Sequence, residues 1–281
     1  MSIAAGSLLL ADAVTLLGAE AKAAWKIGIC DWDLRATGSP GSFAVAKELG
    51  FEGVQVSYQT EGADSLANKE NRPKFLAAAK EAGVGIASLC IGEMNGKPLA
   101  TTPEAEGWVA DCLDAMEEMN VDRVLIPFFS NADINEHKDQ MPATIEKFKR
   151  LAPIAERKKK ILAVESYLSA EDHLKLIDAV GSDALKVYYD VRNSWNKDYD
   201  IYREMELLGS KKLICEIHFK EDGVLLGAGQ IDFPKVCATL EKVGFDGWVV
   251  VEGSTPRSST PDGWKVSQTT NAQFVKKLLG R

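Results

Sequence analysis

Residues 161–190 read ILAVESYLSAEDHLKLIDAVGSDALKVYYD, and this stretch decides the fold. It opens with a continuous apolar run, Ile161 to Glu165, too short for a stable helix and rich in residues that suit a pleated strand. Ser169 offers an N-cap, Ala170 to Val180 carries apolar residues at helical spacing, and Gly181 supplies a left-handed stop. A second apolar run, Leu185 to Asp190, completes a strand–helix–strand unit. Strands without polar alternation are covered on both faces, as in a parallel sheet flanked by helices.

The same unit repeats in both directions along the chain. Strand candidates lie at Lys26–Cys30, Gly53–Ser57, Gly85–Ile91, Arg123–Phe128, Ile161–Glu165, Leu185–Asp190, Leu213–Phe219 and Trp248–Glu252. Helical patterns occupy Asn71–Ala82, Pro103–Asn120, Gln140–Lys158, Ala170–Val180, Tyr199–Leu208, Phe233–Val243 and Asn271–Leu279. Gly50, Gly83, Gly181, Gly209 and Gly244 each follow the last periodic residue of a helix, and Asp232 is a second N-cap. Strands alternating with helices in this number over residues 25–281 predict an α/β fold, a single (β/α)8 TIM barrel that forms the catalytic domain. A doubly wound open sheet is the alternative, but no glycine-rich nucleotide fingerprint follows any strand.

With 33 Lys+Arg against 41 Asp+Glu the 281-residue chain carries a formal charge of −8, and 46% of its residues are hydrophobic. Disorder is excluded, and the acidic balance gives no electrostatic footprint for a nucleic-acid partner. Cys30, Cys90, Cys112, Cys215 and Cys237 are odd in number and lack any CxxC pair, so they read as buried free thiols. Residues 1–24 differ: an apolar run from Ile3 ends in the small-residue sequence before Trp25. This segment reads as the remnant of an export leader, without its basic start, or else as an N-terminal helix. The first reading expects a periplasmic protein and the second a cytoplasmic one. No later run approaches a membrane span, and the sequence leaves a homo-oligomer open.

The last four strands end alike: Ala-Val-Glu165-Ser, Tyr-Tyr-Asp190-Val, Glu-Ile-His218-Phe and Val-Val-Glu252-Gly. In such barrels the active site lies where strands end and βα loops begin. Chemistry-bearing types at four consecutive strand ends exceed what 41 acidic residues and 3 histidines among 281 supply by chance. Three carboxylates and one imidazole make a hard, oxygen-rich site suited to one divalent metal, Mn²⁺ or Mg²⁺ first, with Co²⁺ or Zn²⁺ compatible. His137 and His173 read as surface residues.

These strand ends, with the stretches His218-Phe-Lys220-Glu-Asp, Gly227-Ala-Gly229-Gln-Ile-Asp232-Phe and Gly244-Phe-Asp-Gly247-Trp-Val-Val-Val-Glu252, resemble the sugar phosphate isomerase/epimerase superfamily of xylose-isomerase-like barrels. That superfamily includes ketose 3-epimerases and inosose isomerases and dehydratases. The resemblance implies a metal held by Glu165, Asp190, His218 and Glu252, with Glu165 and Glu252 as the catalytic proton-transfer pair. It implies a metal-dependent isomerase or epimerase acting on a ketose, inosose or keto-sugar by proton abstraction next to a carbonyl, through an enediolate. Asn193 falls where the epimerases carry a substrate-binding histidine, and Gln55 where a glutamate is common. A keto-sugar or keto-glycoside dehydratase/lyase using the same metal, and a non-catalytic exported sugar-binding protein, are the alternatives.

Other residues after strand ends are candidates for a sugar pocket: Asp31, Trp32, Tyr58, Glu93, Phe128, Asn193, Trp195, Lys220 and Arg257. Lys220, two residues beyond His218, shares that strand's inward face. Gly227 and Gly229 read as a tight turn before the Asp232 cap.

Overall fold

The computed structural model describes residues 25–256 and 262–281. Both the leader reading of residues 1–24 and Arg257 lie outside the described residues. Eight strands pair in chain order into a closed barrel: β1 (Ile27–Cys30), β2 (Gly53–Ser57), β3 (Gly85–Cys90), β4 (Arg123–Phe128), β5 (Ile161–Ser166), β6 (Leu185–Asp190), β7 (Ile214–Glu221) and β8 (Val249–Gly253). Every pairing is parallel, and β1 closes the ring against β8 through Gly28 beside Val250.

The outer layer is α1 (Ser42–Leu49), α2 (Arg72–Ala82), α3 (Ala105–Glu118), α4 (Met141–Lys158), α5 (Ala170–Val180), α6 (Val191–Trp195), α7 (Ile201–Ser210), α8 (Phe233–Lys242) and α9 (Gly263–Leu278). Two of the starts are capped as the sequence suggests. Ser169 accepts the Asp172 N–H before α5, and Asp232 accepts the Lys235 N–H before α8. Gly50, Gly83 and Gly181 end α1, α2 and α5 in the left-handed conformation. Gly209 behaves differently. It lies inside α7, where a β-carbon would run into the side chain of Val243, so its smallness serves packing rather than termination.

Most apolar side chains lie in one continuous core between the strands and the helices. The barrel interior is filled by two smaller groups, Cys90, Leu125, Ala163, Tyr188 and Cys215, and then Cys30, Ala87 and Val250. All five cysteines are buried and free, as expected. Among the described residues no helix is long and apolar enough to cross a membrane. Three helices depart from the stretches read in the sequence: α1 and the five-residue α6 have no counterpart among them, and α9 begins at Gly263 rather than at Asn271.

Candidate active site and metal centre

Asp190 ends β6, Glu165 and Glu252 are the penultimate residues of β5 and β8, and His218 lies in the second half of β7, which runs three residues beyond it. Alternate residues of a strand face the barrel axis. The registers therefore set Asp190 beside His218 and Lys220 beside Glu252 at one barrel mouth. Each of Glu165, Asp190, His218 and Glu252 offers one ligand atom, and these atoms all lie within 4.8 Å of one another. The Nδ1 of buried His218 is 3.2 Å from Glu165 Oε1, 3.4 Å from Glu252 Oε2 and 3.7 Å from Asp190 Oδ2.

Two further side chains join this cluster. Lys220 Nζ donates to Glu252 Oε2 at 2.8 Å and lies 3.4 Å from both Asp190 Oδ2 and Asn193 Oδ1. Asn193 Nδ2 donates to Glu165 Oε1 at 3.2 Å. Asn193 and Lys220, both expected as substrate contacts, are thus brought to the site.

Burial drives the carboxyl of Glu165 up to about 7, against the pull of His218, while Glu252 and Asp190 push the same way as burial. Burial also acts on Asp190, but Lys220 and His218 outweigh it and hold that group below the usual carboxylate range. His218 is pushed the other way. Burial disfavours its charge, yet Glu252, Glu165 and Asp190 raise it to about 10. Three carboxylates crowded around a buried imidazole call for positive charge at their centre.

The donor set fits a divalent cation. Asp190 Oδ1 is occupied by the Arg192 and Asn193 N–H groups, each at 2.8 Å, whereas its Oδ2 is buried and takes no hydrogen bond. An orphaned carboxylate oxygen beside two glutamates and an imidazole nitrogen is a hard, mainly oxygen site.

The other face of the imidazole is also held. His218 Nε2 lies 3.2 Å from Gln55 Oε1, which also accepts from Cys30 Sγ at 3.3 Å, while Gln55 Nε2 donates to Ser88 Oγ at 2.9 Å. An amide oxygen facing Nε2 makes that nitrogen the donor, so Nδ1, on the carboxylate side, is the ring nitrogen that would give up its proton to hold a cation. This gives Gln55 a physical role that the sequence did not reveal.

The remaining pocket candidates divide. Trp32 is half-buried and packs on both interior groups, so it roofs the barrel core at the mouth. Asp31 is buried but serves the frame, accepting from Ser57 N and Oγ at 2.7 Å and from Gly38 N at 2.8 Å; burial still lifts it to about 6. Glu93 accepts the Thr60 N–H at 2.8 Å and ties two loops together. Trp195 rests against the outer core and lines a surface cleft with Asn196, Asp198, Tyr199 and Gln230.

Three expectations need correcting. Tyr58 is fully buried in the outer core near Arg72, Cys112 and Asp111, because β2 turns that residue toward the helices. Phe128 likewise faces outward and packs on Phe148 of α4 at 6.0 Å. His173 is no surface residue: it is buried, with Nε2 3.0 Å from Ser166 Oγ and Nδ1 3.1 Å from the Ser169 carbonyl, and burial lowers it to about 4. His137 is exposed, as expected.

Sequence reasoning missed two features. Asp33, two residues after Asp31, accepts the Gly253 N–H at 2.8 Å; burial and then Glu252 raise it to about 7. Phe129 and Tyr167 form an edge-on aromatic pair at 4.7 Å, with Lys220 and Asp190 acting on the Tyr167 hydroxyl. Both aromatics stand one or two residues beyond strand residues already singled out, which was the available signal.

A family profile described as xylose isomerase-like TIM barrel matches residues 43–273, and the chain belongs to that family. No curated protein matches it. Among solved structures, D-psicose 3-epimerase of Clostridium cellulolyticum H10 is similar at a TM-score of 0.76 and 15% identity, over 90% of this chain and 99% of that one. The 3-keto-D-glucoside 4-epimerase of E. coli is similar at 0.70 and 16% identity, over 92% of this chain and 100% of that one. A xylose isomerase-like protein of Mycobacterium smegmatis in complex with magnesium aligns at 0.68 and 14% identity, over 91% and 97% of the two chains. At such identities the likeness establishes the barrel alone.

Proposed function

We propose that this protein is a divalent-metal-dependent sugar isomerase or epimerase acting on a ketose, inosose or keto-sugar. The observation that carries the reading is the convergence of Glu165, Asp190, His218 and Glu252 within 4.8 Å at the barrel mouth. The names of the D-psicose and 3-keto-D-glucoside epimerases support the substrate class. The magnesium complex of the M. smegmatis barrel supports a hard cation, Mg²⁺ or Mn²⁺.

A dication held by these four side chains supplies Lewis-acid stabilisation of charge developing on the substrate's oxygens. The protein's own groups do the rest. Glu165 takes a proton from the carbon next to the carbonyl, and Glu252 returns one to the opposite face, which inverts that carbon. Asn193 holds Glu165 through Oε1, so the carboxylate is aimed rather than free to rotate. Lys220 donates to Glu252 Oε2 at 2.8 Å, which fixes where that carboxyl points, and keeps further N–H donors for a substrate hydroxyl. Trp32 roofs the interior and keeps water from the reacting carbon.

The test is proton NMR in D₂O with a panel of ketoses, inososes and 3-keto-sugars and added Mn²⁺. Deuterium at one carbon together with appearance of its epimer is the expected result. Deuterium followed by loss of a hydroxyl transfers the same site to the dehydratase reading. Conversion without deuterium from solvent, or binding without any exchange, overturns proton transfer by the two glutamates.

A further inference from the structure

At the opposite pole of the barrel the strands begin, and there a cavity of about 220 Å³ opens between β4, β5, β6 and β7 and the loops before β7 and β8. Its wall carries Arg123, Lys186 and Lys212, with Cys215 at the back and Asp246 as its one lining carboxylate. In a chain of net charge −8, three cations around one cavity run against the overall balance.

The cations are incompletely used. Arg123 Nε is buried without a hydrogen-bond partner. Glu216 and Asp122 act on the Arg123 guanidinium through space, and neither makes an ion pair with it. Lys186 Nζ donates to the Lys212 carbonyl at 2.9 Å, which leaves two of its three N–H groups. Lys212 Nζ donates to the Val243 and Gly244 carbonyls at 2.9 and 3.2 Å, which leaves one. Gly244, at φ +64, has no β-carbon to push that ammonium away.

We propose that this cavity binds a phosphate group, free or borne on a small organic molecule. A buried guanidinium donor with no acceptor, flanked by two ammonium groups from separate elements, suits a compact dianion with oxygens pointing in several directions. Asp246, exposed at the rim, is the one lining carboxylate against three lining cations, and the other lining groups are apolar or backbone. The cavity is larger than a bare phosphate ion, which leaves room for a short organic substituent. The site stands at the far end of the barrel from Glu165 and Glu252 and is independent of the function proposed above.

The test is isothermal titration of the full-length, Mn²⁺-loaded protein with orthophosphate and, separately, with glycerol 3-phosphate, at matched ionic strength in chloride. Wild type, Lys186→Gln and Arg123→Gln are compared. Saturable binding that falls about tenfold in each variant is expected, the loss typical of one charge-assisted contact. The two ligands then separate a free ion from an organic phosphate. Lys186 is half-buried, so Lys186→Gln should fold and keep wild-type sugar turnover even if Arg123→Gln does not fold. Phosphate held at the metal would bind wild type and Lys186→Gln equally, and that equality, or no saturable binding of either ligand, overturns the proposal.

Discussion

The two halves of this barrel have the same architecture and different chemistry. β5 to β8 place Glu165, Asp190, His218, Lys220 and Glu252 at the mouth, all ionisable and within a few ångströms of one another. β1 to β3 place Cys30, Gln55, Ser57 and Ser88 on the inner wall, neutral groups that hydrogen-bond inward to His218 or sideways to Asp31. Neighbouring strands are about 4.8 Å apart, so ligands that must converge on one ion have to come from consecutive strands. The half that remains then sets orientation. In this barrel one half carries charge and the other aims it.

The most forceful way to break that division is to remove the charges singly. Glu165→Gln and Glu252→Gln keep an oxygen of similar size and remove the proton acceptor. Turnover should fall by about 10²–10⁴-fold while Mn²⁺ binding weakens modestly, read by steady-state kinetics beside metal titration. Asp190→Asn and His218→Ala should lose activity through lost metal, and excess Mn²⁺ should restore part of it. On a reversible epimerisation each glutamate is the base for one epimer only. Deuterium washing into one epimer without conversion should therefore distinguish the two Gln variants. Near-native turnover in both would end the proton-transfer assignment.

A subtler break lies in the neutral half. Gln55→Leu removes the acceptor that faces His218 Nε2 while keeping the side chain's bulk. Mn²⁺ affinity should drop by about 10–100-fold, with turnover at saturating metal much less affected. Gln55→Glu preserves an acceptor and should keep most of the affinity. If Gln55→Leu at saturating metal lost as much turnover as Glu165→Gln, the first half-barrel would be doing chemistry rather than aiming it.

The legibility of these two halves in the sequence differs for a physical reason. Strand ends that carry Glu, Asp, His and Glu announce themselves, because charged groups interrupt apolar runs at a regular interval. The barrel followed from those same runs, and the helix caps at Ser169 and Asp232 followed from local rules. What stayed hidden depends on the direction in which a side chain points. Tyr58 and Phe128 follow or end strands as suitable pocket residues do, but the strand pleat turns them into the helix layer. Gln55 and Ser88 meet only because a register irregularity between β2 and β3 aligns them, which no single strand encodes. Five-residue α6 is nucleated by the Asp190 side chain, a metal-ligand candidate also acting as an N-cap, and periodicity cannot detect so short a turn.

His173 sharpens the comparison from the other side, because it is a titratable group in the charged half that should have no part in the chemistry. It lies behind β5, where Ser166 points outward while Glu165 points in, and bonds Ser166 Oγ and the Ser169 carbonyl. Burial lowers it to about 4, against 6.5 when solvated. Between these values the unfolded chain binds a proton that the folded one does not, so the stabilising contribution is present above about pH 6.5 and is lost as pH falls toward 4. At about 1.4 kcal/mol per unit, a fully expressed shift is of order 3 kcal/mol. Chemical denaturation of metal-free protein at stepped pH should show this loss in wild type. In His173→Gln, which keeps a polar group of similar size, the fall between pH 6.5 and 4 should be shallower, and turnover at neutral pH should stay within a few-fold of wild type. A turnover collapse with Mn²⁺ bound would place the Ser166–His173 pair in the aiming of Glu165, and would extend the orienting role from the neutral half of the barrel to the back of the charged one.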